Sequence, residues 1–320
     1  MERKESKTIY QEIIEAGISR RKFLDMCSEA AAMLALDHSQ TDQVVYALET
    51  REKVPVIWLH IQDCTGCSES FVRSNYPSTS SLILDTISLN YHETFTAAAG
   101  DATEHAKKQT MEKYKGKYIL IVEGSIPSPE FFFSAGQSAY EQVTEAAEHA
   151  MAILAVGSCS AYGGIAAAYP NPTGAKSLKE ILPDKTVIQV PGCPPIPEVI
   201  AGVIAHCAIF GEPPEVDRRG RPKGYYSKSV HSTCERLDAF KAGLFVESFD
   251  DEGTLKGYCL YKVGCRGITT FNACSSVCWN DGLSFPVHSG NTCLGCSEEN
   301  FWDTGSFYEP MKKKAKAASS

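Results

Sequence analysis

Val54-Pro55-Val56-Ile57-Trp58-Leu59 is a near-continuous apolar run of strand length. Such a run marks a strand with both faces buried, as in a parallel sheet. Comparable runs follow at Leu82–Ile87, Tyr118–Val122, Ala152–Val156 and Thr186–Val190. Helical patterns separate the later ones: Ser138–His149 is one, and Ile196–Phe210 follows the last run after a Pro-rich turn. Strands alternating with helices predict a doubly wound α/β sheet. In an open sheet of that kind, the loops at the carboxyl ends of the strands converge on one crevice, where ligands bind.

Near Gly211-Glu212-Pro213-Pro214 the texture turns Gly-rich and turn-rich, which places a domain boundary close to residue 215. The chain then reads as four parts: 1–50 a leader and polar linker, 51–215 the α/β domain, 216–310 a second, irregular domain, and 311–320 a basic tail containing Lys312–Lys316. Its 320 residues allow two domains with cores of their own, so size alone demands no disulfide staples. A net charge of -8 excludes a nucleic-acid partner, because phosphate binding needs clustered Lys and Arg. No stretch reaches the roughly 18 apolar residues of a membrane-spanning helix.

Thirteen cysteines in a chain this long read as metal ligands rather than as a disulfide framework, and the odd count weakens the disulfide reading further. Cys64-Thr65-Gly66-Cys67, Cys159 and Cys193 each fall just after a predicted strand, so four thiolates can meet at the crevice although they are distant in sequence. Four thiolates suit zinc or a 4Fe-4S cluster. The intervals of 91 and 33 residues between these motifs do not match the spacing of zinc ribbons. The second domain holds seven more cysteines in sequence with little hydrophobic periodicity, where metal binding would supply folding free energy directly. Cys207, within an apolar helix, reads as a packed small hydrophobe.

The stretch Trp58-Leu59-His60-Ile61-Gln62-Asp63-Cys64-Thr65-Gly66-Cys67-Ser68-Glu69-Ser70 resembles the proximal-cluster motif of nickel-iron hydrogenase small subunits. The resemblance spans nearly the whole chain, through Gly124-Ser125-Ile126-Pro127, Gly157-Ser158-Cys159, Asn171-Pro172-Thr173-Gly174 and Pro191-Gly192-Cys193-Pro194-Pro195. It implies a flavodoxin-like α/β domain in which Cys64, Cys67, Cys159 and Cys193 bind a proximal 4Fe-4S cluster. It further implies that His231, Cys234, Cys259 and Cys265 bind a distal 4Fe-4S cluster, and that Cys274, Cys293 and Cys296 bind a medial 3Fe-4S cluster. A neutral imidazole in place of one thiolate makes a cluster less negative and tends to raise its potential, which suits an electron exit. Pro286 stands where relatives with a fourth medial ligand carry cysteine, and Cys278 reads as unligated. Gly66 and the Gly163-Gly164 region lack the extra cysteines of oxygen-tolerant relatives, which implies an ordinary proximal cluster.

By the same resemblance the chain is an electron-transfer subunit. It would carry electrons from H2 oxidation, through proximal, medial and distal clusters, to a cytochrome or other acceptor. The nickel-iron centre would belong to a large-subunit partner, and no residue of this chain is read as a catalytic acid or base. Asp63 and Glu123 are placed near the proximal cluster and the subunit interface, although a solvated or structurally paired carboxylate is the commoner case. Two rivals remain: a quinone-reducing respiratory-complex subunit of related fold, against which the ligand sets after residue 230 argue, and a zinc-stabilised binding protein. Ser19-Arg20-Arg21-Lys22-Phe23-Leu24, followed by the Ala-rich stretch Cys27–Leu36, resembles a twin-arginine export signal. That implies a periplasmic protein, with membrane association through a partner, and leaves Cys27 removed or idle.

Overall fold

The computed structural model describes residues 8–15, 17–33, 41–50, 52–75 and 78–310. The basic tail and residues 34–36 of the Ala-rich stretch lie outside them. Two compact units meet in sequence between Tyr225 and Tyr226.

The first unit is built on five parallel strands: β1 Val54–His60, β2 Ile87–His92, β3 Ile119–Glu123, β4 Ala152–Val156 and β5 Val187–Val190. Their order is β2-β1-β3-β4-β5. This is the flavodoxin-like order, with its switch point beside β1 and β3. Every residue of β1, β3, β4 and β5 is buried, as their continuous apolar runs require. Ile57, Leu59, Leu120, Val122, Ile153 and Ala155 share one core with Val143 and Ala146 of helix Ala139–Ala147. The alternate residues Val56, Trp58, Ile119, Ile121 and Leu154 point to the opposite face and are equally buried. A sheet buried on both faces leaves only the strand ends open for chemistry.

Local sequence fixes the helices around this sheet. Ser138 forms a capping box with Glu141 at the start of Ala139–Ala147. Helix Pro197–Phe210 begins with proline in its first turn and ends at Gly211, whose φ of 72 is the left-handed conformation that a helix terminus favours.

The expectation of a strand at Leu82–Ile87 is corrected: Leu82–Thr86 is a single π-helical turn and the strand runs from Ile87 to His92. Ser78 explains the shift, because its side chain accepts from the Ser81 N–H and starts a helical turn that continues into the apolar residues. A short apolar run cannot by itself separate strand from buried helix.

The N-terminal segment is also more ordered than a leader and polar linker suggest. Helices Ile9–Glu15, Arg20–Met33 and Thr41–Thr50 bury Ile9, Ile13, Phe23, Cys27, Val44 and Leu48. Helix Pro197–Phe210 packs against the latter two. The segment after residue 215 stays with the first unit, because Gln189 N–H donates to Gly220 O at 2.8 Å.

The second unit consists of turns and short helices such as Leu237–Lys241 and Glu252–Leu255. Its buried apolar cluster is small: Val230, Val246, Leu260, Val263, Phe285 and Val287, with Cys234, Cys265, Cys274, Cys278, Trp279 and Cys293 packed against it. So thin a core leaves metal ligation as the natural source of its remaining order. Among the described residues, no helix is long and apolar enough to cross a membrane.

Candidate metal centres

The crevice at the carboxyl ends of the strands collects the first cysteine set. The chain leaves β1 at His60, reaches Cys64, and turns through Thr65 (φ 61) into helix Gly66–Phe71, which carries Cys67. β4 runs directly into helix Gly157–Tyr162, which carries Cys159, and β5 ends three residues before Cys193. The last two loops are tied together: Ser158 N–H donates to Gly192 O at 2.8 Å, and Gly192 N–H donates to Ser158 Oγ at 3.0 Å. Ser70 of the first loop donates to Pro195 O at 2.6 Å, which fastens it to the third.

The four thiols converge. Burial pushes Cys67 well above its ordinary value, and the charges of Glu123, Cys159, Cys193 and Cys64 push in the same direction. Cys159 is raised to about 12 by burial and then by Cys193, among smaller influences. Cys193 is raised by burial and by Cys64. Thiols that resist ionisation first through burial and then through mutual repulsion, as Cys67, Cys159 and Cys193 do, form with Cys64 a donor set that a cationic centre would stabilise.

Glycines make the room. A Cβ at Gly157 would lie 2.4 Å from Cys67 Sγ, and one at Gly164 would lie 2.3 Å from Cys159 Sγ. Only residues without a Cβ fit against these sulfurs. The donor chemistry and the cradle thus fit an iron-sulfur cluster.

Behind Cys67 stands a buried polar network of which sequence reading named only Asp63 and Glu123. Glu123, at the end of β3, is 1 % exposed and accepts from Cys67 N–H at 2.9 Å, Trp58 Nε1–H at 3.1 Å and Ser68 Oγ–H at 2.6 Å. Ser68 Oγ also meets His60 Nε2 at 3.3 Å and His92 Nε2 at 3.2 Å. Having given its one proton to Glu123, that hydroxyl can only accept from the two rings. His60 Nδ1 faces Asp63 Oδ2 at 2.5 Å, so both of its nitrogens carry protons in this arrangement. Burial opposes that charge, but the Asp63 hydrogen bond and the charges of Glu123, Asp63 and Glu93 raise His60 above its ordinary value. His92 is the reverse case, held neutral by burial and by His60 and lowered to about 3. Glu123 is therefore a paired structural carboxylate that fixes the Cys67 amide. The only sequence signal for it was its place at the carboxyl end of a buried strand.

The second unit holds two sets. Cys234 is raised by burial, with Cys265 and Cys259 adding their charges against an opposing backbone hydrogen bond from Arg236. Cys259 is likewise raised by burial and by Cys265. His231 joins them through Gly267: its N–H donates to Gly267 O at 3.0 Å, and a Cβ on that glycine would lie 3.6 Å from Cys265 Sγ and 3.8 Å from His231 Cβ. Burial lowers His231, which keeps the imidazole lone pair available to a metal.

The other set is Cys274, Cys293 and Cys296. Burial raises Cys274 well above its ordinary value, and Cys296 and Cys293 add to it, while a Trp279 hydrogen bond opposes. Cys293 is raised to about 12 by burial, then by Cys265 and Cys296, against hydrogen bonds from the Gly295 backbone and the Thr270 side chain. The influence of Cys265 on Cys293 shows that the two sets are neighbours within this unit. Cys278 stands apart: burial and Glu235 raise it, and no other thiol contributes. Cys207 is fully buried in its helix.

Residues 64–207 match the family described as NADH ubiquinone oxidoreductase, 20 Kd subunit, and residues 226–309 match the family of the C-terminal region of the NiFe/NiFeSe hydrogenase small subunit. The chain is 51 % identical over 309 residues to the uptake hydrogenase small subunit of Rhizobium leguminosarum bv. viciae, covering 96 % of this chain and 86 % of that one. It is 47 % identical over 305 residues to the Hydrogenase-1 small chain of Escherichia coli K12, covering 94 % and 82 %. Among solved structures, a reduced, active form of the Ni-Fe-Se hydrogenase from Desulfomicrobium baculatum superposes with a TM-score of 0.75 at 34 % identity, over 81 % of this chain and all of that one. The first family match alone would also suit a respiratory subunit. The second covers the second unit with seven of the thirteen cysteines, and the relatives cover both units, so the chain belongs to the nickel-iron hydrogenase small subunits.

Proposed function

We propose that this chain is the electron relay of a hydrogenase, serving a large subunit that holds the nickel-iron centre and splits H2 into two protons and two electrons. The observation that carries this reading is the gathering of eleven ligand-type side chains into three sets, two of them adjacent within one unit. Cys64, Cys67, Cys159 and Cys193 would hold the proximal 4Fe-4S cluster, His231, Cys234, Cys259 and Cys265 the distal one, and Cys274, Cys293 and Cys296 a medial 3Fe-4S cluster. Such clusters, when bound, supply one-electron redox chemistry. The protein residues supply the rest. Glu123 holds the Cys67 amide, Gly157 and Gly164 leave space for sulfur, and Trp279 donates a hydrogen bond to Cys274. Hydrogen bonds to sulfur favour the more negative, reduced state and so raise a potential.

The acceptor is a cytochrome or another redox protein, and the chain works outside the cytoplasm after export through its Arg20-Arg21 pair. Arg20 is well exposed, as a receptor-read address must be, whereas Phe23 and Cys27 of the same helix are fully buried. An export receptor would therefore have to meet this helix while it is undocked. Replacing both arginines by lysine tests the address: the folded protein should stay in the cytoplasm, and undiminished periplasmic activity would refute it.

The relay itself is tested by purifying the untagged chain with its partner and measuring nickel, iron and the oxidised spectrum. Nickel in the partner and a paramagnetic three-iron signal are expected. A colourless chain with stoichiometric zinc would overturn the reading.

A further inference from the structure

Arg266 is an unusual cation. It is 4 % exposed, and among the described residues no carboxylate lies within ion-pair distance of it. Its guanidinium is satisfied by neutral acceptors: Nη1 donates to Phe301 O, to Leu294 O at 3.4 Å and to Thr304 Oγ1 at 2.9 Å, and Nη2 donates to Gly305 O at 2.8 Å and Ser306 O at 3.3 Å. The Phe307 ring lies 4.8 Å from its central carbon. A buried charge costs free energy unless something nearby compensates it, and carbonyl dipoles compensate only in part.

The position of this cation indicates what the rest of the compensation is. Arg266 follows Cys265 directly, and its backbone N–H donates to Cys293 O at 2.8 Å. Its stem lies along the Cys293-Leu294-Gly295-Cys296 turn, where a Cβ on Gly295 would come within 3.4 Å of Arg266 Cδ. The side chain therefore runs beside the turn that carries Cys293 and Cys296, where its guanidinium reaches Leu294 O.

We propose that Arg266 acts as an electrostatic positioning residue that raises the reduction potential of the site formed by Cys274, Cys293 and Cys296. This inference rests on the relay reading above. Reduction adds one electron to that site and no proton to Arg266, so the local charge becomes more negative by one. A permanent cation in a low-dielectric surrounding stabilises the added charge more than it stabilises the oxidised state. The hydrogen bond from Trp279 to Cys274 acts in the same direction, so two features favour the reduced form of one set.

A purely mechanical role competes with this, because the same guanidinium straps the 294–306 segment. The two roles separate by substitution in the assembled heterodimer, with the midpoint potential of the site followed through its paramagnetic signal. Arg266→Lys keeps the charge and loses most of the strap. Arg266→Gln loses the charge. Thr304→Glu, at an exposed position, keeps every atom of Arg266 and supplies a counter-charge.

The expected result is a midpoint near the unmodified value in Arg266→Lys. In Arg266→Gln, reduction should be at least tenfold weaker, about 59 mV for a one-electron couple. Thr304→Glu should shift the midpoint in the same direction by less. Equal falls in the Lys and Gln variants, or no fall in Gln, would overturn the proposal and leave only the strap. Should Arg266→Gln fail to assemble, an unmoved midpoint in Thr304→Glu overturns it. The iron count is a separate readout: a four-iron spectrum at this site corrects the cluster assignment above, while the same midpoints, followed on the signal that Cys293→Ser abolishes, still decide the role of Arg266.

Discussion

Gly157→Ala should empty the first cysteine set while leaving the α/β fold intact. The glycine has φ +87, and alanine in the left-handed region costs roughly 1–2 kcal/mol. A domain that buries both faces of a five-stranded sheet can absorb that amount. The contact is the larger effect. The new Cβ would sit 2.4 Å from Cys67 Sγ, whereas non-bonded atoms of this size rest roughly 3.5–4 Å apart, so the sulfur or the backbone has to retreat by roughly 1 Å. Metal–ligand distances tolerate only about 0.2 Å. Cys67 cannot retreat freely, because its amide is fixed to the buried Glu123 carboxylate at 2.9 Å. The displacement thus exceeds the tolerance about fivefold, and the ligand is lost.

Gly116→Ala is the control, since that glycine has φ +72 and a Cβ added there would meet no atom within 4 Å. Both variants carry similar backbone strain, and only one meets a thiol. Iron and labile sulfide per heterodimer, with the visible absorption band, should fall by about one four-iron cluster in Gly157→Ala and stay whole in Gly116→Ala. Full iron and an unchanged spectrum in Gly157→Ala would refute the placement of Cys67 as a ligand. Equal losses in both would assign the effect to strain.

Three further outcomes are expected. His92 is neutral in the fold, lowered to about 3, and titrates near 6.5 when unfolded, so the unfolded chain binds the extra proton between those values and stability falls as pH drops through that window. By denaturant unfolding, His92→Gln should lose less stability than the unmodified protein between pH 7 and pH 5, by about 2 kcal/mol, and parallel losses would contradict a buried neutral ring. Cys278→Ser should leave the three-iron signal of the Cys274, Cys293 and Cys296 site unchanged, because Glu235 and not a thiol faces Cys278; a changed signal would make Cys278 a ligand. His231→Ala should weaken dye reduction more than hydrogen isotope exchange, and an equal loss of both would remove His231 from the electron exit.

The first unit was legible because its signals are local and redundant. Each of the buried strands β1, β3, β4 and β5 is a continuous apolar run, Ser138 and Gly211 punctuate the helices they bound, and the cysteines stand next to strand ends. β2 was misplaced because its residues Ser88 and Asn90 interrupt the apolar run, while the capped turn before it carries Leu82 and Ile83. The N-terminal helices were underestimated for a related reason: their buried residues Ile9, Ile13, Phe23 and Val44 are spread thinly among charged neighbours, and their burial is completed by packing on one another, on the Leu82–Thr86 turn and on helix Pro197–Phe210.

What sequence could not reveal is how the polar groups around the sulfurs engage them. Glu123 lies 56 residues from Cys67, and its role depends on β3 pairing with β1 so that its carboxylate meets the amide of the next loop. Arg266 had a visible neighbour, Cys265, but its decisive partners Phe301, Thr304, Gly305 and Ser306 approach only after the chain has turned back past Cys293 and Cys296. Ligands announce themselves because iron demands particular atoms. The groups that adjust a ligand's charge can come from any residue that donates a hydrogen bond or carries a cation. Their identity is set by tertiary proximity, and so the residues that would tune the relay are those that sequence motifs leave unmarked.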